Sequence, residues 1–265
     1  MRFFSAYIFL LFLFSCSPPG ENADPSGINA AAGSPQEAEP FAIVELFTSE
    51  GCSDCPPAEE LLNKITKEAM ANKTYVYPLA FHVDYWNKLG WKDIFSDSAF
   101  SNRQRKYRPA LGNEVVYTPQ MIVNGNTECV GSDEKRSKAL IDSFLVVKPE
   151  WYFTIHPDEK LLEQGIIKTE FEVIQKPMND TNQYNICYAL VERSLTSAIT
   201  RGENKGLTLT HQNIVRIFGS QKLENSKGSF QMEWKKGTLG PNHSIIVFIQ
   251  EEKNMKIVGG NLCNI

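Results

Sequence analysis

The 265-residue sequence has no surplus of positive charge, no internal repeat, few cysteines, and no apolar run long enough to cross a bilayer as a helix, which takes about 20 residues. Lys and Arg total 27 against 31 Asp and Glu, a formal net charge of −4, so the basic footprint of a nucleic-acid binder is missing. Of six cysteines only Cys52 and Cys55 lie close together; Cys16, Cys129, Cys187 and Cys263 are scattered singly. A structural zinc site of four cysteines would need a second close pair, so that reading is weak.

What is present begins with a leader. Met1-Arg2 is followed by an almost wholly apolar stretch from Phe3 to Phe14 and then Ser15-Cys16-Ser17-Pro18, the pattern of a signal peptide over residues 1–15. Leu13-Phe14-Ser15-Cys16 resembles a bacterial lipoprotein cleavage box, which makes Cys16 the expected lipidation site and the cell envelope the expected location, on a membrane. Residues 17–40 are rich in Pro, Gly, Ser, Ala, Asn and Glu, with Ile28 the only large aliphatic, so they cannot bury enough surface to fold. As a flexible coil they would span about 25–30 Å, enough to hold a domain off a membrane surface. The following residues, 41–265, suit two ordinary domains or one large one, and export places their cysteines in an oxidising compartment.

Cys52 and Cys55 sit where a buried strand, Phe41 to Phe47, hands over to a helix carrying Ala58, Leu61, Leu62, Ile65 and Ala69 at helical spacing. The free N–H groups and dipole of a helix start favour thiolate over thiol, and the thiolate is the nucleophile of disulfide exchange. Two thiols at this spacing can share one disulfide, one attacking a substrate and the other resolving the mixed intermediate. Pro56 suits the first helical position and makes Cys55 the expected cap, while Asp54 between the thiols opposes ionisation of both. A local structural disulfide is the bland alternative.

Farther on, Thr74 to Val83 reads as a second strand, with Pro78 arguing for an edge or a bulge. An aromatic loop with Trp86 and Trp91 comes next, either a groove wall or core packing. Asp97 or Ser96 caps a helix whose Arg103, Arg105, Lys106 and Arg108 are expected on a solvated face. Pro119, just before the short apolar strand Gln120 to Val123, is a candidate cis peptide. Asn124-Gly125 turns the chain into Thr127 to Val130, and a helix from Asp133 to about Val147 ends this part. From Trp151 short strand-like runs recur without helices, the texture of a β-sandwich over 149–265, and no nucleophile–base pair or phosphate loop is visible there.

The order of elements over 41–148, with the cysteine pair at the first strand–helix junction and Thr118-Pro119 before a hairpin, resembles the thioredoxin fold. The blocks FTSEGCSDCPPAEELL, FHVDYWNKLGWKDIFSDSAFSNRQRKY and YTPQMIVNG resemble a family of secreted thioredoxin-like proteins, the domain of unknown function 1223 family. The resemblance implies an α/β thioredoxin-like domain followed by an all-β sandwich-like domain, with Thr118 and Pro119 lying against the dithiol and shaping substrate binding. Two departures, the absence of an aromatic before Cys52 and of a proline between the cysteines, argue against a strong general reductase.

The expected function is thiol–disulfide exchange on envelope proteins through Cys52 and Cys55, working with an envelope redox partner and without a cofactor. An alternative is a copper-binding or copper-delivery module in which His82, at the end of the neighbouring strand, joins both thiols; the plainer expectation ties His82 into the Asp84-Tyr85 turn. A further alternative is a non-catalytic interaction protein. Glu45, the sole charge in its strand, is either a buried proton acceptor below the dithiol or a residue facing a polar edge. His211 and Arg216 read as fold-fixing polar residues. Cys187 and Cys263 could pair in the oxidising compartment, or each could be a small buried hydrophobe.

Overall fold

The computed structural model describes residues 37–265 except Lys236 and Pro241. The leader, Cys16 and the tether up to residue 36 lie outside the described residues. In chain order, β1 (Phe41–Thr48) leads through the cysteine loop into α1 (Pro56–Asn72), β2 (Tyr75–His82), the tryptophan loop and α2 (Ser98–Ala110). The hairpin β3 (Gln120–Val123) and β4 (Thr127–Val130) and then α3 (Glu134–Phe144) follow. The remaining chain forms β5 (Tyr152–Asp158), β6 (Ile166–Gln175), β7 (Tyr184–Glu192), β8 (Leu195–Ala198) and β9 (Thr208–His211). It closes with β10 (Ile214–Lys222), β11 (Lys227–Glu233), β12 (His243–Glu251) and β13 (Ile257–Asn264).

An α/β thioredoxin-like domain followed by an all-β sandwich-like domain does not describe this architecture. Among the described residues there are thirteen strands to three α-helices, and eight of the strands form one mixed sheet in the order β13-β12-β7-β10-β2-β1-β3-β4. The sheet runs straight across the expected change of domain, because β10 pairs in parallel with β2 through Ile214 and Ala80. Strand-like texture after residue 150 was legible, but nothing local in it reveals that one strand of that set completes the sheet begun by β1. A β-sandwich is present in a different sense: β5, β6 and β11 form a three-stranded sheet that packs on the β7 and β12 end of the large one.

Alternation along the strands sorts the core. Phe41, Ile43 and Phe47 of β1 and Tyr77, Leu79 and Phe81 of β2 face α2, and the same apolar layer continues beneath Ala189, Val191, Ile246 and Phe248. Ala42, Val44, Leu46, Val76 and Ala80 point the other way, against Leu61 and Leu62 of α1 and Leu140 and Ile141 of α3. Strands buried on both faces read as continuous apolar runs, which is why β1 was conspicuous in the sequence. The sheet curls until β13 returns to β1: Ile257 N–H donates to Asn124 O at 2.8 Å, and a Cβ on Gly260 would lie 2.7 Å from the Phe41 ring.

Three local expectations change. Pro78 sits in an interior strand, without disruption, because Ala80 N–H donates to Asn213 O while β10 meets β2 at that one register position. Two residues earlier the same side of β2 has no ladder bond for a proline to remove. The run Leu207 to Phe218 breaks into β9 and β10 at Asn213, whose φ is 52°. Cys187 and Cys263 are not bridged to each other and lie opposite Phe248 and Ile245 on either side of β12. Two strand spacings, about 10 Å, separate their strands, beyond the roughly 7 Å that a disulfide can bridge.

Arg103 is also not on a solvated face. It is buried, with its Nε and Nη2 donating to both oxygens of the fully buried Glu45 at 2.6 and 2.8 Å and Nη1 donating to Gln250 Oε1 at 3.2 Å. Tyr107 Oη donates to Glu45 Oε1 at 2.5 Å, and the Phe218, Tyr107, Phe248 and Phe81 rings surround the guanidinium at 4.5–5.6 Å. Removing one partner of such a pair strands a charge in a dry site. Arg103→Met is therefore expected to lower unfolding stability by about 3–5 kcal/mol, and the Glu45→Met/Arg103→Met double variant by less. The urea midpoint reads both, and a single-variant loss below about 1 kcal/mol would contradict this account of the pair.

Candidate functional site

Residues 49–55 leave the end of β1, and the chain enters α1 with Cys55 as its cap and Pro56 in the first turn. Cys52 N–H donates to Ser49 O at 3.1 Å and Cys55 N–H to Cys52 O at 3.2 Å, so the loop is two tight turns that bring the sulfurs together. The Thr118–Pro119 peptide is cis, as its position suggested, and approaches from β3. Gly131 N–H donates to Pro119 O at 2.8 Å, and a Cβ at Gly131 would lie 2.7 Å from the Leu46 side chain and 3.0 Å from the Pro119 ring, so glycine lets the chain before α3 close on this turn without displacing them.

The two thiols are electrostatically unequal. A hydrogen bond from the Cys55 thiol, helped by the Thr118 hydroxyl and Asp54 N–H and opposed by burial and the Asp54 carboxylate, brings Cys52 down to about 7. Burial pushes the Cys55 thiol far up, so it keeps its proton. Thr118 is directed by a third residue: Trp86 Nε1 donates to Thr118 Oγ1 at 2.8 Å, which leaves the hydroxyl proton to point at Cys52 Sγ, 3.5 Å away. Cys52 is thus the thiol favoured as thiolate and Cys55 the one that keeps its proton, a distinction that the spacing alone left open. Cys52 is 1% exposed and Cys55 fully buried, and Trp86 lies against the neighbouring Gly51.

The loop is braced from far along the chain. Asn204 Nδ2 donates to the carbonyls of Glu50 and Cys52, both at 2.9 Å, and Ser53 N–H donates to Glu203 at 3.1 Å. Trp91 Nε1 donates to Glu50 Oε2 at 2.8 Å, so both indoles of the aromatic loop are anchored on the dithiol loop or its neighbour Thr118. Beneath lies a charged cluster. His211 bridges Glu50 (Nε2 to Oε1, 3.1 Å) and Glu59, Glu59 accepts from Thr48 Oγ1 at 2.8 Å, and His82 Nδ1 meets Asp93 Oδ2 at 2.7 Å. Burial works against a charged His211, yet its bonds to Glu50 and Glu59 raise it to about 10; burial opposes ionisation of Glu59, and His211 holds it low.

The structure therefore brings Cys52, Cys55, Thr118 and Pro119 together, and keeps Glu45 and His82 apart from them. Glu45 is on the α2 face, committed to Arg103 and Tyr107, and is neither a free proton acceptor nor at a polar edge. His82 is held by Asp93 rather than by the Asp84-Tyr85 turn, and its imidazole gathers with Glu59 and His211, not with the thiols. Cys16 lies outside the described residues. Arg216 pairs with Glu192 and caps the Phe95 ring at 5.5 Å, away from the thiols. Sequence reasoning missed Glu50, Glu59, Asp93 and Asn204. Glu59 alone carried a signal: it shares the helical face of Leu62 and Thr66, a charge inside an apolar stripe.

The family model described as Protein of unknown function (DUF1223) matches residues 43–250, and the chain belongs to this family. The match runs from β1 into β12, across the whole of the large sheet's β1 to β12 span. No curated protein sequence matches. Among solved structures, a crystal structure of an Agrobacterium tumefaciens protein is similar over 86% of this chain and 95% of its own, with 25% identity and a TM-score of 0.62. HBP35 of Porphyromonas gingivalis is similar over 86% of this chain and 76% of its own, at 12% identity and a TM-score of 0.64, which shows a shared fold.

If the Trp86–Thr118–Cys52 relay sets the thiolate, Thr118→Val should move the Cys52 ionisation up from about 7 toward the ordinary thiol range by about 1–2 pH units, the worth of one hydrogen bond to a charged group. The pH dependence of thiolate absorbance in reduced protein measures it. An unmoved titration would remove Thr118 from the site.

Proposed function

We propose that this DUF1223 protein is a thiol–disulfide oxidoreductase acting on protein thiols or disulfides of the cell envelope. The observation that carries the reading is the inequality of the two thiols: Cys52 is favoured as thiolate by Cys55 and Thr118, while burial keeps the proton on Cys55. In the reducing direction the Cys52 thiolate attacks one sulfur of a substrate disulfide. A Cys52–substrate disulfide forms, and the other substrate sulfur leaves as a thiolate that takes up a proton. Cys55 then gives up its proton and attacks the Cys52 sulfur, forming the Cys52–Cys55 disulfide and releasing the second substrate thiolate. Two electrons pass to the substrate, and a dithiol of the envelope restores the reduced pair; the reverse sequence oxidises a substrate dithiol, with a disulfide oxidant as co-reactant.

Two features shape this chemistry. Because Cys52 is 1% exposed, a protein disulfide reaches it only when the surrounding loops move. The cis-Pro119 turn presents the Thr118 carbonyl 3.9 Å from Cys52 Sγ, next to the reacting sulfur. The copper reading gains nothing from His82, which turns to Glu59 and His211. The leader and Cys16 support export and lipid anchoring, and no helix among the described residues is long and apolar enough to cross a membrane.

Thiol trapping across a glutathione series is expected to give one two-electron couple for Cys52 and Cys55, above the roughly −300 mV typical of structural disulfides. Cys55→Ser should accumulate mixed disulfides through Cys52, and Cys52→Ser should not. A bond that resists reduction over the whole series would leave a staple in an interaction protein. For the anchor, Cys16→Ser is expected to move the protein from the membrane fraction to the soluble one, and an unchanged membrane fraction would refute lipidation there.

A further inference from the structure

We propose that Glu59, His82 and His211 form a buried binding site for a zinc-class divalent cation, separate from the dithiol and located where α1, β2 and β9 meet. The ligand atoms of the three residues lie within 4.8 Å of one another, and His82 and His211 are fully buried. Two imidazoles and one carboxylate are a borderline-soft donor set that suits zinc and its first-row neighbours rather than magnesium or calcium.

Three features of the surroundings point to a cation. His82 Nε2 has no hydrogen-bond partner although it is fully buried, an expensive vacancy unless the nitrogen has another role. Each ring also has its other nitrogen on a carboxylate, His82 Nδ1 on Asp93 at 2.7 Å and His211 Nε2 on Glu50 at 3.1 Å. That is how metal-binding histidines are oriented: the outer N–H is given to a carboxylate, which fixes the tautomer and aims the inner nitrogen at the ion. Finally, three carboxylates, Glu50, Glu59 and Asp93, face two imidazoles, and a divalent cation would replace the proton that His211 Nδ1 now shares with Glu59, keeping the carboxylates offset.

The remaining walls close the site. Phe95 lies edge-on to both rings at 5.5 Å, and the two imidazoles stand 5.1 Å apart at 76°. Asp93 is fixed by Glu50 N–H at 2.9 Å and Phe95 N–H at 2.9 Å, and Thr48 holds Glu59, so the ligands are positioned before any ion arrives. The three protein ligands leave one tetrahedral position to a water, and their burial shuts out a substrate, so the cation would serve to pin β9 to α1 and, through Glu50, to fix the loop that carries Cys52.

Cys52 and Cys55 could bind zinc themselves, so the test uses the Cys52→Ser/Cys55→Ser chain, refolded from denaturant with Zn²⁺ or Co²⁺ and then desalted. About one equivalent of metal should remain, the cobalt form should show visible ligand-field bands without thiolate charge-transfer absorption, and refolding without metal or with chelator should lower Tm. Asp93→Asn, which keeps all three ligands, should weaken metal binding about 10- to 100-fold, and His82→Ala should abolish it. Should His82→Ala fail to fold, the cobalt spectrum and the Asp93→Asn titration still decide. No retained metal with a Tm indifferent to chelator would overturn the proposal, as would equal retention in Asp93→Asn or in a folded His82→Ala. Neither result bears on the redox couple of the intact dithiol.

Discussion

The join between β2 and β10 is one residue pair wide, Ala80 with Ile214, and the continuity of the eight-stranded sheet passes through it. So narrow a contact could not hold two halves of a sheet together by ladder hydrogen bonds alone. The apolar layer that continues across the join, with Phe81 against Phe218, and polar networks on both faces do the rest. On the α2 face Glu45, Arg103, Tyr107 and Gln250 link β1, α2 and β12; on the α1 face His211 binds Glu59, and Asn213 Nδ2 donates to Thr66 Oγ1 at 3.2 Å. In a low-dielectric interior such fully satisfied networks are strong, and losing one member leaves the others stranded. The seam is thereby fixed in one register without needing length.

The cysteine loop depends on that seam. Two of its carbonyls are held by Asn204, one amide by Glu203, and the glutamate before Gly51 by His211 and by the nearer Trp91, so Glu203, Asn204 and His211, about 150 to 160 positions away, help set where the sulfurs sit. Had the C-terminal strands formed a separate body, these contacts would be an interface and the thiol geometry would vary with it. Instead β9 and the turn before it are covalently close to β10, whose place in the sheet is fixed. The inequality of Cys52 and Cys55 is accordingly a property of the whole fold, although the helix start supplies its local part.

The two indoles of the tryptophan loop join these layers. Trp86 orients the Thr118 hydroxyl and Trp91 holds Glu50, so one loop touches the thiolate on one side and the buried carboxylate cluster on the other. Movement of that loop would alter both the access to Cys52 and the hydrogen bond that stabilises its charge.

By itself the sequence determined the local pieces: the apolar run of β1, the cysteine pair at a strand–helix handover, a cap of α2 at Ser96 or Asp97, a proline placed for a cis bond before the hairpin, and most strands after residue 150. These follow from periodicity, capping and turn chemistry, which act over a few residues. Only the tertiary structure decided that β10 completes the first sheet, so that a two-domain reading fails, and that Arg103 turns inward to Glu45, His82 to Asp93 and His211 to Glu50 and Glu59. A charged residue on a helix or strand reads as solvated until its partner is known. Here the partners of Arg103 and His211 stand 58 and about 150 to 160 residues away, where no periodic signal reaches.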